Sequence, residues 1–264
     1  MYLTAIFLIG LTASVIGAVC GIGGGVIIKP LIDILGLTDV SSASFLSACT
    51  VLMMTSCSVF RKKKEHGSNT PRPSRETFPL ALGAATGGLV GKMIFETAKE
   101  MLPFSDEIGA YQSLVLCMVA AGTMLYTKNK NKIKTRKLCN LAVIAAFGLI
   151  LGCMSSFLGI GGGPVDLVVL YYFFSMETKA AVQNSLFIIF ISQSFSLAYT
   201  LFTNTVPAVT VQEVILMALG GIIGGIIGRK INARMNSVLI EKLFVGVMAC
   251  IILMSIYNFF YYIC

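Results

Sequence analysis

Five residues, Gly21-Ile22-Gly23-Gly24-Gly25, return letter for letter as Gly159-Ile160-Gly161-Gly162-Gly163, and each copy interrupts an apolar run. The copies stand 138 positions apart, about half the chain. The same offset pairs Ser47 with Ser185, Ser56 with Ser194 and Ser58 with Ser196. One residue less pairs Gly83, Gly87 and Gly91 with Gly220, Gly224 and Gly228. A pattern doubled over such a length is an internal repeat, and it constrains the fold before any single element does. The chain divides into a first repeat (1–127), a basic linker (128–137) and a second repeat (138–264).

Each repeat must satisfy its backbone in an apolar medium. Of the 264 residues 56% are hydrophobic and 12% charged, against about 25% charged in soluble domains. Apolar runs cover 2–20, 26–37, 44–60, 78–95, 111–126, 138–158, 165–174 and 184–202. A run of about 20 such residues spans a bilayer as a helix, and a spanning helix bonds every peptide group internally. The fold class is an all-α polytopic membrane protein. No basic leader segment with a cleavage site precedes the first run, which is therefore expected to stay. The eight cysteines form no C-x-x-C pair and sit mostly in apolar runs, as small hydrophobes do.

The net charge of +8 follows topology. Of 20 Lys and Arg residues, 16 fall within 61–75, 128–137 and 229–242, and the other connections are acidic, as at Glu96, Glu100, Asp106 and Glu107, or uncharged by Lys and Arg, as at 203–212. By the positive-inside rule these three stretches are cytoplasmic in a plasma-membrane protein whose termini lie outside. The basic stretches lack the aromatics that stack bases, so nucleic acid is not an expected partner. The partners expected are a small anion and lipid.

The connection after residue 60 is basic while its equivalent after 202 has no Lys or Arg, and the acidic connection after 95 corresponds to the basic one after 228. Equivalent connections thus change sides, which means two inverted-topology repeats. Inversion needs an odd number of crossings per repeat. About five helical segments fit, either all crossing or with a re-entrant pair at the glycine motif. Inverted repeats with broken helices are an architecture of secondary transporters, with the site near the midplane between repeats.

Amides freed at a glycine break, and the helix N-terminus that follows, attract anions. Gly23, Gly24, Gly25, Gly161, Gly162 and Gly163 are therefore candidate ligands, two helix ends facing one another around a small oxyanion. The glycines at every fourth position, 83, 87, 91 and 220, 224, 228, suit close helix packing instead. Lys29 stands one turn after the first motif and is a candidate to attract the anion. Asp166, three residues after the second, is a candidate to pair with Lys29 or to carry a coupling proton. Asp33 reads as interfacial. Ser44, Ser47, Thr55 and Ser58 share a helical face, as do Ser185, Gln193 and Ser196; of these Ser47 and Ser185, with Asn184, are the preferred ligands because they stand at the expected helix starts. Cys20 is expected to pack. The one histidine, His66, lies in a basic stretch, so no metal or cofactor is expected; nor is a nucleotide, since Gly91-Lys92 is followed by Met93.

Gly-Ile-Gly-Gly-Gly in each half, followed by Val26-Ile27-Ile28-Lys29-Pro30-Leu31 in the first and by the small polar Asn184-Ser185-Leu186 in the second, resembles the TauE/SafE family of sulfite and sulfonate exporters. The resemblance covers essentially the whole chain. It implies a secondary carrier, not an enzyme, for sulfite, sulfoacetate or related organosulfonates. Lys29, Pro164 and Asp166 depart from the usual apolar pattern. A passive anion channel and a thiol-dependent sulfur carrier or enzyme are the alternatives.

Overall fold

The computed structural model describes residues 2–60, 77–101, 105–133, 135, 138, 140–160 and 162–263. The basic stretch 61–75, part of 128–137 and Gly161 lie outside the described residues.

Ten α-helices make up the described chain: α1 (Tyr2–Cys20), α2 (Gly25–Ile34), α3 (Val40–Phe60), α4 (Thr77–Met101), α5 (Ser105–Asn129), α6 (Leu141–Leu158), α7 (Pro164–Phe174), α8 (Thr178–Phe202), α9 (Val211–Arg234) and α10 (Ser237–Ile263). Eight are long and apolar enough to cross a membrane; α2 and α7, the helices after the two glycine motifs, are too short. The protein is an all-α polytopic membrane protein with five helices per repeat.

Helix ends follow local chemistry. Asp39 caps α3, its carboxylate accepting from the Ser41 and Ser42 amides at 3.2 and 3.3 Å. Burial raises the pKa of this group, but its hydrogen bonds with Ser42 and Ser41 outweigh burial and hold it below the usual carboxylate range. Thr210 and Glu213 form a capping box at the start of α9. α3 and α8 start earlier than the apolar pattern predicts, at Val40 and Thr178, so Ser47 and Ser185 lie about two turns inside their helices and not at the starts. Polar residues such as Ser41 and Lys179 interrupt the hydrophobic run without interrupting the helix.

Packing respects the repeat. α4 lies along α6, and its equivalent α9 along α1; α3 packs on α9 as α8 does on α4; α5 meets α10, and α3 meets α8. The correspondence reaches single atoms. A methyl on Gly87 would overlap the Leu149 carbonyl oxygen, and one on Gly224 would come within 2.7 Å of the Leu11 carbonyl oxygen. Gly91 meets the Cys153 carbonyl, and Gly228 that of Val15. The spaced glycines therefore do what packing glycines do in membranes, where close backbone approach replaces the hydrophobic drive.

α1 and α2 form a hairpin whose two outer ends share one face, since the Tyr2 hydroxyl reaches the Leu37 carbonyl at 3.5 Å and Glu213 Oε1, at the start of α9, at 2.7 Å. α6 and α7 do likewise: the Leu138 amide donates to Phe173 O at 3.1 Å, and Ser175 Oγ to Thr135 Oγ1 at 2.7 Å. The ends of this second hairpin lie by Lys130, Thr178 and Glu241, which bond one another near the start of α10. α9 crosses the molecule between its start at Glu213 and the start of α10 that follows it. The ends of the first hairpin thus lie by the start of α9, and those of the second by the start of α10.

Candidate functional site

The glycine motifs form the hairpin tips. At both, the preceding helix ends in the same six-to-one turn, with Ile22 N donating to Gly17 O at 3.2 Å and Ile160 N to Ser155 O at 3.3 Å. The left-handed residues are Gly21 and Gly159, at φ 76° and 66°, where a side chain would be strained.

The tips meet. A Cβ on Gly25 would overlap the Ile160 carbonyl oxygen and lie 2.7 Å from Ser47 Oγ; one on Gly163 would lie 3.1 Å from the Ile22 carbonyl oxygen and 2.8 Å from Val26 Cγ2. The facing arrangement expected from sequence is thus present. The space expected between the tips is filled by backbone. At α7 the N-terminal turn also has its own anion, because Asp166 Oδ2 accepts from the Gly163 amide at 3.3 Å. Asp166 caps its helix and is 3% exposed.

Lys29 does not pair with Asp166. Its Nζ donates to Leu158 O at 2.8 Å and to Gln112 Oε1, while Gln112 Nε2 donates to Phe157 O at 2.6 Å. The cation therefore sits on the C-terminal carbonyls of α6, the negative end of that helix. At 4% exposed, Lys29 does not snorkel. Asp33, read as interfacial, is instead 6% exposed and packed under α10.

The polar candidates separate by role. Ser185 Oγ donates to Gly21 O at 2.6 Å and ties α8 to the first tip. Its equivalent Ser47 is fully buried under Gly25 and its hydroxyl has no hydrogen-bond partner. Asn184 is a tether: its Oδ1 accepts from Thr77 Oγ1 at 2.9 Å and its Nδ2 donates to Ala180 O at 2.8 Å. Gly23 and Gly24 pack on Ile189 and on the Ala13 carbonyl. Cys20, 1% exposed, belongs to the apolar core, as expected.

A cavity of about 20 Å³ lies beside the second tip, lined by Ser44, Lys92, Ser155, Ser156, Gly159, Gln193, Ser196 and Thr200 together with Phe45, Ala48, Phe95 and Leu197. Ser156 is 7% exposed and its hydroxyl is unpartnered. Lys92 Nζ lies 5.7 Å from the Phe95 ring centroid. The first tip is lined differently. Where Gly159 faces Ser44 and Lys29, Gly21 faces Val182, the apolar equivalent of Ser44. Where Phe95 stacks edge-on to Phe157 at 6.5 Å, the equivalent Asn232 donates to Val19 O at 2.6 Å and ties that side shut.

Ser44, Gln193 and Ser196 of this cavity belong to the polar faces read from sequence; Lys92, Ser155, Ser156 and Thr200 were not singled out. Lys92 carried a signal. It is one of four basic residues outside the basic stretches, it interrupts the run 78–95, and Arg229 matches it in the second repeat.

Searches of curated proteins and of solved structures return no match. The family described as Sulfite exporter TauE/SafE matches residues 6–255, so the chain belongs to the TauE/SafE family of sulfite exporters and is a membrane transporter.

Proposed function

We propose that the protein moves sulfite and related small sulfur oxyanions, sulfoacetate and organosulfonates among them, across the plasma membrane by alternating access. The anion rests in the cavity beside Gly159. The observation that carries this is the cavity's chemistry: a cation, Lys92, and a buried hydroxyl without a partner, Ser156, converge with Gln193 and Ser196 on a helix break in an apolar protein. A buried polar group without a partner costs about 1–3 kcal/mol, and an oxyanion accepting from Ser156 removes that cost.

The same offsets support inverted repeats with their basic stretches cytoplasmic. On that topology the cavity lies toward the outer face, since Lys92 is late in α4 and Thr200 late in α8. Its image by Gly21, Val182 and Arg229 lies toward the cytoplasm and is closed. Exchange of the two arrangements, with the tips at Gly25 and Gly163 sliding on one another, delivers the anion to the other side. About 20 Å³ holds a water-sized group, so entry of sulfite requires α4 and α8 to part. No catalytic step is needed.

Sulfite flux into proteoliposomes tests this. Saturable flux and counterflow are expected, with Lys92→Gln raising KM about tenfold or more, the 1.4 kcal/mol scale of one lost charge-assisted contact. Flux linear in concentration would make the protein a channel. Unchanged kinetics in Lys92→Gln would move the site elsewhere.

A further inference from the structure

A second polar cavity, of about 10 Å³, lies one helix away and is lined by Lys29, Pro30, Asp33, Gln112, Ser113, Leu116, Leu158 and Asn258. Its charges are not needed to pack α2. The equivalent positions on α7 are Leu167 and Tyr171, both buried, so the second repeat seats the same helix without Lys or Asp.

Two acceptors in this cavity lack donors. Asn258, 1% exposed, donates Nδ2 to Pro30 O at 3.1 Å and leaves its Oδ1 unpaired; Asp33, 6% exposed, hydrogen-bonds with Tyr262 and leaves its Oδ1 unpaired. A single proton on Asp33 supplies a donor to the cavity that Asn258 also lines. Among the described residues, the charged and titratable groups facing the pair are few. Lys29 lies one turn back on α2, Lys92 of α4 acts on Lys29 through its charge, and α10 brings Tyr262. Gln112 and Ser113 of α5 line the cavity as neutral groups, and α1 and α3, which also pack on α2, contain no acidic or basic side chain.

Resting on the carrier function proposed above, we infer that Asp33 and Asn258 form the site of a co-transported proton and that Lys29 links it to the anion cavity. Lys29 holds the carbonyl of Leu158, the residue before Gly159, and Gly159 lines the anion cavity. With Asp33 ionised, the Lys29 charge is balanced within its own cavity. With Asp33 protonated, one positive charge is left beside Gly159, and an anion there balances it. Unbalanced charge in a membrane interior is costly, so proton and anion favour one another's binding and cross together.

The test compares sulfite uptake driven by an inward proton gradient with sulfite counterflow at equal pH, in proteoliposomes. Wild type should show both, with uptake raised about tenfold by a gradient of one pH unit, the proton ratio itself. Asp33→Asn, which keeps the shape and donates an N–H in place of the proton, should lose the gradient stimulation and keep counterflow. Asn258→Ala should shift the pH of half-maximal stimulation downward. Counterflow without gradient stimulation in wild type, or stimulation that survives in Asp33→Asn, would overturn the proton site and leave the carrier. Absence of counterflow in wild type would instead overturn the carrier function.

Discussion

Gly25 is where the two repeats come closest, and its role follows from one missing methyl group. Its Cβ would overlap a backbone carbonyl of the other hairpin, which no rotamer change relieves. Overpacking of this kind costs about 1–3 kcal/mol. Gly25→Ala should therefore melt several degrees below wild type in detergent, while Gly246→Ala, with nothing within 4 Å of its Cβ, should not. Equal melting temperatures would mean the tips do not touch. Residue by residue, sequence was informative where a pattern recurs and weak where burial decides. The doubled glycines and the packing stripes at 83, 87, 91 and 220, 224, 228 were legible because each is repeated. Lys29 was noticed as an intramembrane charge. Its seat on the Leu158 carbonyl depends on a partner 129 positions away, which no local spacing encodes. Asp33 looked interfacial for the same reason, as its cover comes from α10.

At the scale of elements, the informative objects are the two hairpins, α1 with α2 and α6 with α7. Sequence left open whether these helices cross or return. α1 and α6 are long enough to cross, and contacts between ends far apart in the chain, such as Tyr2 with Leu37 and Leu138 with Phe173, bring the two ends of each hairpin together. The helix starts were misjudged at α3 and α8 because a polar turn and a polar first helical turn have similar composition; at α3 the Asp39 cap and not the apolar run sets the boundary. On the topology proposed here the first hairpin opens outward and the second inward. In a cysteine-free background, a membrane-impermeant maleimide should label Leu35→Cys only from outside and Glu177→Cys only from the cytoplasmic side, both positions being exposed. Labelling of both from one side would contradict inversion.

For the molecule as a whole, the repeat sets the frame and its violations mark the chemistry. α4 on α6 and α1 on α9, Gly87 on Leu149 and Gly224 on Leu11, and the two tip contacts all exchange with one another. The exchange is broken at the cavity beside Gly159, where Ser44 and Ser156 have the apolar equivalents Val182 and Ala18, and at the Lys29 and Asp33 cavity, where the equivalents are Leu167 and Tyr171. Packing needs neither departure. The architecture was therefore largely legible from the doubled motif, whereas the site was legible only in part, because it lies where the repeat is broken and draws on four helices at once. The central claim is that a sulfur oxyanion binds beside Gly159. Selenite has the charge and pyramidal shape of sulfite and scatters anomalously, so diffraction from crystals soaked in it locates the anion directly. A selenium peak within hydrogen-bonding distance of Lys92 and Ser156 is the predicted result; a peak away from these residues, or none at concentrations that inhibit sulfite flux, would contradict it.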